Sequence, residues 1–237
     1  MELVFREDPY AKECTATVVA AGPEGVVLDR TVFYPTGGGQ PGDSGVLIAE
    51  DGTETPVAEA RKGEGPDDVL HTVPEGAALP APGAKVTARI DWDRRYKHMR
   101  MHTTMHLLCS MVNHGVTGGA VGAEKSRLDF DSGDHVYDKD ELTARLNELV
   151  AADHAVTSRW IDESELDENP DLVRTLSVQP PRGTGRIRLM AVGDGAVDLQ
   201  PCGGTHVART GEIGKVRVAK IENKGKRNRR INIVFDE

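Results

Sequence analysis

The sequence predicts an α+β protein in two parts: a small β-barrel-like N-terminal domain over residues 1–92, then an α+β domain over residues 93–237. Three observations carry this expectation. Short apolar or alternating runs, separated by Gly- and Pro-rich turns, fill the first part. A helical apolar pattern then runs from Asp91 to Asn113 with no Pro or Gly to break it. Helix and strand patterns mix from there to the end.

Taken in order, TATVVA, GVVLDRTVFY, GVLIAE and KVTARIDW read as strands of a barrel or meander, and no helical period competes with them. The stretch GEGPDDVLHTVPEGAALPAPG reads as loop with one short strand. Tyr96, Met99, Leu107, Leu108, Met111 and Val112 then recur at helical spacing. A second helix starts at Asp138, which has capping-box spacing to Glu141, and Leu142, Leu146, Leu149 and Val150 form its apolar stripe. AVTSRWI reads as a strand. The acidic run Asp162 to Asp171 holds a short surface helix ended near Pro170. RIRLMAVG, GKVRVAKIENKG and RRINIVFD read as strands of a second sheet. There is no internal repeat and no low-complexity tract.

Composition bounds the rest. The 237 residues suffice for one large or two small domains. Hydrophobic residues make up 38% and aromatics only 4%, so the core is aliphatic. No run approaches the roughly 20 apolar residues of a membrane span, so no membrane partner is expected. MELVFREDPY has neither a basic nor an apolar region of a secretory signal. Three scattered cysteines, Cys14, Cys109 and Cys202, argue against a disulfide framework and fit a reducing, cytoplasmic location.

Net charge is −9, which taken alone disfavours a nucleic-acid partner. The acidity is confined to the first 92 residues, with 7 basic against 16 acidic side chains. The remainder has 22 of each and leaves room for local basic patches. Arg94, Arg95, Lys97 and Arg100 form one. Lys224, Lys226, Arg227, Arg229 and Arg230 form the core of another. Each reads equally as a solvated face or as a set of phosphate contacts.

His102 and His106 are four apart on the first helix, so both imidazoles lie on one face a turn apart, suited to one metal ion. His98 lies a turn earlier on the same stripe. A zincin site is excluded, because Thr103 stands where that motif needs Glu. Far downstream, Cys202 and His206 are also four apart, in a Gly-rich loop whose two glycines are expected to let the backbone curl. Together the pairs give a complete tetrahedral N₃S set for one zinc ion. Cys14 and Cys109 have no partner at ligand spacing and read as structural thiols.

HTTMHLL with PCGGTHV resembles the HxxxH and CxxxH pair of the editing domains of alanyl- and threonyl-tRNA synthetases. RTVFYPTGGGQPGDSG, KSRLDFD, TGEIGKVRV and RRINI choose the alanyl branch. These segments run from about residue 29 to 235, in family order. The chain has no room for an aminoacylation domain, so it is most similar to the free-standing AlaX proteins of medium length. The resemblance implies a two-layer α+β editing domain behind a glycine-motif domain. It also implies a trans-editing activity that deacylates mischarged tRNA(Ala), chiefly seryl-tRNA(Ala), with glycyl-tRNA(Ala) as a second candidate. A monomer or weak dimer is expected.

Zinc would lower the pKa of water to about 7 and polarise the ester carbonyl. Four protein ligands close the tetrahedron, however, whereas catalytic zinc keeps an open position. A ligand that loosens, a fifth coordination position, or a purely positioning role would each resolve this. His98 is expected behind the ligands or facing phosphate. Thr103 and Thr117 are candidates to bind the serine hydroxyl, since a site built to hydrogen-bond that group rejects its analogue by about 10⁴–10⁵. Gly37, Gly38 and Gly39 form a tight turn that the resemblance places against the site, with Gln40 and Asp43 near the tRNA 3′ end. The basic clusters at 94–100 and 224–230 become the phosphate contacts. The competing readings are a catalytically silent zinc-stabilised tRNA-binding module, a threonyl-type editing domain, and a metallohydrolase of small esters.

Overall fold

The computed structural model describes residues 1–236 apart from 66, 177–179, 181, 182 and 184. It divides into two compact units, Met1–Tyr96 and Lys97–Glu237.

The first unit is built from β1 (Glu2–Leu3), α1 (Val4–Glu7), β2 (Glu13–Gly22), β3 (Gly25–Leu28), β4 (Arg30–Thr31), β5 (Gly45–Ala49), β6 (Glu54–Val57), β7 (Glu59–Lys62), β8 (Val69–Thr72) and β9 (Lys85–Ile90). Seven of these make one antiparallel sheet in the order β6-β5-β9-β2-β3-β8-β7. Alternation drives it: in β9 every second residue is buried, which turns Val86, Ala88 and Ile90 into the core. Among the described residues no ladder joins β6 to β7, so the sheet is not a closed barrel, and of the expected barrel or meander the barrel is not confirmed. The two edge strands follow one another with only Ala58 between them, and an alternating pattern does not encode whether such neighbours pair.

His71 lies in this core, fully buried, between Thr31 Oγ1 (2.7 Å from Nε2) and the Val26 carbonyl (2.9 Å from Nδ1). Burial pushes its pKa down to about 4, with the Val26 contact opposing. The unfolded chain takes up the proton near pH 6.5 and the folded one does not, so stability falls as pH drops from about 6.5 toward 4. Between pH 7.5 and 5 this one group is expected to remove about 2 kcal/mol. Denaturant titrations at the two pH values measure the loss. A His71 NMR resonance that titrates near 6.5 would contradict it.

Within the second unit lies most of α2 (Trp92–Met111), whose first five residues belong to the first unit. The other elements are β10 (Val116–Ala120), β11 (Lys125–Asp131), α3 (Lys139–Ala151), β12 (Val156–Asp162), α4 (Glu163–Glu168), β13 (Arg186–Val192), β14 (Asp198–Pro201), β15 (Val216–Lys224) and β16 (Asn228–Phe235). Asp138 caps α3 as expected, accepting from the Asp140 and Glu141 amides at 2.8 and 2.9 Å. Leu142, Leu146 and Val150 are its buried stripe.

The downstream strands do not share one sheet, contrary to expectation. β15 and β16 belong to a four-stranded sheet, β10-β11-β16-β15, while β13 is the centre of a separate one, β12-β13-β14. Six consecutive residues of β13, Ile187 to Val192, are buried, the mark of a strand covered on both faces. The edge strand β15 is covered by α3. Asn147 donates to the Val216 carbonyl at 2.7 Å and accepts its amide at 3.1 Å, and Thr143 accepts the Val218 amide at 3.1 Å. Two helix side chains thus satisfy backbone groups that an open edge would leave available to another chain.

Candidate metal centre

Helix α2 presents His102 and His106 one turn apart, each 7% exposed. The loop after β14 carries Cys202 and His206. The structure brings all four together: their donor atoms lie within 4.8 Å of one another. Cys202 Sγ is 3.5 Å from His102 Nε2 and 3.3 Å from His206 Nε2. The rings of His102 and His106 are 4.3 and 4.7 Å from that of His206. Three imidazoles and a thiol converging in a buried place could hold one metal ion.

The loop is held in a way the sequence did not suggest. Neither Gly203 nor Gly204 has a positive φ, so the expected glycine-only curl is not what shapes it. Arg188, on β13, grips it instead. Its Nη1 donates to the Cys202 and Gly204 carbonyls at 3.2 and 2.9 Å, and its own carbonyl accepts the Cys202 amide at 3.0 Å. The Gly204 amide points at Cys202 Sγ, 3.4 Å away.

Asp198 and Thr103 stand behind these four residues. Asp198 Oδ2 accepts from His106 Nδ1 at 2.8 Å, and Gln200 donates to both Asp198 oxygens. Thr103 Oγ1 lies 3.2 Å from His206 Nδ1 and accepts the Val207 amide at 3.3 Å. Burial resists ionisation of Cys202, yet the adjacent His102 and His206 hold its thiol well below the usual range. Burial and the neighbouring His102 push His206 down to about 3. Burial opposes a charge on His106, yet its hydrogen bonds to Asp198 and Cys202 push it up to about 10, so the cluster combines a thiolate, a neutral His206 and a proton on His106 that a metal would have to displace.

The other expected site residues are distributed differently. His98 is buried and lies outside the four-residue group. Thr117 is on β10, with its hydroxyl 3.2 Å from both the Asp129 carbonyl and Asn228 Oδ1, two contacts within the sheet. In the first unit, Gly37 and Gln40 pair across Gly38 and Gly39, whose φ values of 57° and 81° make the tight turn. Gln40 itself is fully buried. A Cβ on Gly42 would stand 1.9 Å from the Ala60 carbonyl, so only glycine fits there.

Asp43 and Arg95 form an ion pair that is almost fully buried, with Arg95 Nε 3.0 and 2.9 Å from the two carboxylate oxygens. Arg95 also donates to the Pro9 and Val32 carbonyls. The expectation that Arg95 meets phosphate is therefore corrected, since its guanidinium is enclosed and committed. Asp43 likewise serves the packing of the first unit. Arg94 donates to the Gly42 carbonyl, Lys97 pairs with Glu124, and Arg100 donates to the Ile213 carbonyl and covers the Phe235 ring. In the second cluster Lys224, Arg227 and Arg230 pair with Glu222, Asp131 and Asp129, and Arg229 donates to the Asn228 carbonyl. Acids thus face Arg95 and Lys97 in the first cluster and Lys224, Arg227 and Arg230 in the second.

Sequence reasoning missed Asp198, Gln200 and Arg188. The available signal for the first two was a pair of polar residues at strand spacing just ahead of Pro201 and Cys202.

The chain matches two family models: the second additional domain of threonyl and alanyl tRNA synthetases at residues 187–232, and the class II (A) tRNA synthetases at residues 6–94. It is 38% identical to the alanyl-tRNA editing protein AlaX-M of Methanosarcina mazei, over 97% of this chain and 94% of that protein. To the protein of the same name from Saccharolobus solfataricus it is 34% identical, with 97% of each covered. It is also 34% identical to the alanine–tRNA ligase of Pyrococcus abyssi, over 92% of this chain but only 24% of that enzyme.

Proposed function

The chain belongs to the AlaX-M family of alanyl-tRNA editing proteins, and on that premise we propose that it is a zinc-dependent, trans-acting deacylase of mischarged tRNA(Ala), chiefly seryl-tRNA(Ala) with glycyl-tRNA(Ala) as a further substrate. The observation that carries this reading is the converged His102, His106, Cys202 and His206 set in a chain that spans nearly the full length of its AlaX-M relatives.

The donor set fits zinc. A tetrahedral zinc with Zn–S near 2.3 Å and Zn–N near 2.0–2.1 Å separates sulfur from nitrogen by about 3.5 Å, against 3.5 and 3.3 Å here. When bound, zinc supplies Lewis acidity to an ester carbonyl and lowers the pKa of nearby water. The chain's own residues do the rest. His102, His106, Cys202 and His206 would hold the ion, and Arg188 holds the Cys202 loop through the Cys202 and Gly204 carbonyls. Water adds to the acyl carbon, the bond from that carbon to the ribose oxygen breaks, and free amino acid and tRNA leave.

The reading divides the chain into a glycine-motif domain, 1–92, and an editing domain, 93–237. It keeps Thr103 and Thr117 as candidate contacts for the serine hydroxyl, and Gly37, Gly38, Gly39 and Gln40 as shaping the place of the tRNA 3′ end. The exposed Lys226 and the rim of paired arginines at 227–230 are the candidate phosphate contacts. A cytoplasmic location fits, and among the described residues no helix is long and apolar enough to cross a membrane.

The complete four-residue ligand set favours a second reading, a silent zinc-stabilised tRNA-binding module. Mixing the protein with seryl-tRNA(Ala) and alanyl-tRNA(Ala) separates the two. Rapid loss of serine with alanine spared is expected. Tight tRNA binding with neither ester hydrolysed would leave the silent module.

A further inference from the structure

His106 is fixed from behind by a group that leaves its ring one choice. Its Nδ1 is 2.8 Å from Asp198 Oδ2, and both side chains are buried. A carboxylate only accepts, so Nδ1 carries a proton and, in the neutral ring, Nε2 is left with its lone pair. His206 is different. Its Nδ1 faces the Thr103 hydroxyl at 3.2 Å, and a hydroxyl either donates or accepts, so that contact does not set the tautomer.

Asp198 is itself held. Gln200 Nε2 donates to Oδ1 at 3.1 Å and to Oδ2 at 2.9 Å. Asp198 and Gln200 are two apart on β14, opposite Val192 and Met190 of β13, so both side chains fall on one face. β14 ends at Pro201 and the next residue is Cys202. One short strand therefore delivers the carboxylate, its brace and a candidate metal ligand as a rigid unit.

We propose that Asp198, braced by Gln200, is a positioning residue that sets the tautomer and orientation of His106 and thereby the metal affinity of the four-residue cluster. The inference rests on the metal-binding reading above and adds the determinant of its affinity. Carboxylates behind metal-bound imidazoles act in this way generally, and their loss weakens binding by about 10–100-fold.

The test is zinc affinity, measured by competition with a chromophoric chelator on the full-length protein, together with ¹⁵N spectra of its histidines in the zinc-loaded state. Asp198→Asn is expected to raise the zinc dissociation constant by about 10–100-fold and to remove the protected Nδ1–H signal of His106. Gln200→Met, which only frees the carboxylate, shifts affinity in the same direction by less. A folded Asp198→Asn protein with unchanged zinc affinity and an unchanged His106 signal would overturn the inference while leaving the metal reading intact. If Asp198→Asn does not fold, Gln200→Met decides, and an unaltered dissociation constant overturns the inference. A wild-type protein that takes up no zinc overturns the metal reading itself, and the inference with it.

Discussion

Cys202→Ala is expected to lose seryl-tRNA(Ala) deacylation and to weaken zinc binding by more than about 100-fold. The scale follows from the donor set. Removing a residue behind a ligand already costs about 10–100-fold in affinity, and Cys202 is the sole sulfur among three imidazoles. Against the cost of burial, the neighbouring histidines also hold its thiol well below the usual range. The substitution should not unfold the chain, because the loop is gripped through the Cys202 and Gly204 carbonyls, which the alanine variant keeps. Zinc content after dialysis and single-turnover deacylation measure the two effects. A Cys202→Ala protein that keeps full rate and stoichiometric zinc would remove the thiol from the account.

Asp43→Ala is expected to destabilise the first unit by about 3–5 kcal/mol, the usual cost of stranding one partner of a buried ion pair. Arg95 has no access to water, and its remaining acceptors are the Pro9 and Val32 carbonyls. Asp43 additionally accepts the Tyr34 amide at 2.6 Å, so its loss also strands a backbone donor. Replacing both partners, Asp43→Ala with Arg95→Met, should cost less than the sum of the single changes, since no charge is then left alone. Urea unfolding of the single and double variants measures this. A single-variant loss below 1 kcal/mol would show that the arginine finds water or another partner.

The four residues that could hold a metal were legible because each pair is local. Four-residue spacing on a helix fixes one face, so His102 and His106 could be read without knowing the fold. Arg95 and Asp43 were not legible as partners. They are 52 residues apart, and a basic cluster on a helix looks alike whether one of its members points outward or inward. The same limit applies to the sheets. β13 and β16 have similar apolar patterns, yet one pairs with β12 and β14 and the other with β11 and β15. Strand composition carries no record of which edge it will meet. β10 and β14 escaped notice for a simpler reason. VTGGA has two residues of low strand propensity and DLQP places polar groups inward. The inward polar residues of β14 are the ones that stand behind His106.

The most direct test of the central claim is deacylation of seryl-tRNA(Ala) by the protein as purified, after removal of metal with a chelator, and after return of one equivalent of zinc. The account predicts fast hydrolysis, its loss on chelation, and its recovery with zinc, with alanyl-tRNA(Ala) spared throughout. Hydrolysis that continues at full rate in the stripped protein would contradict it.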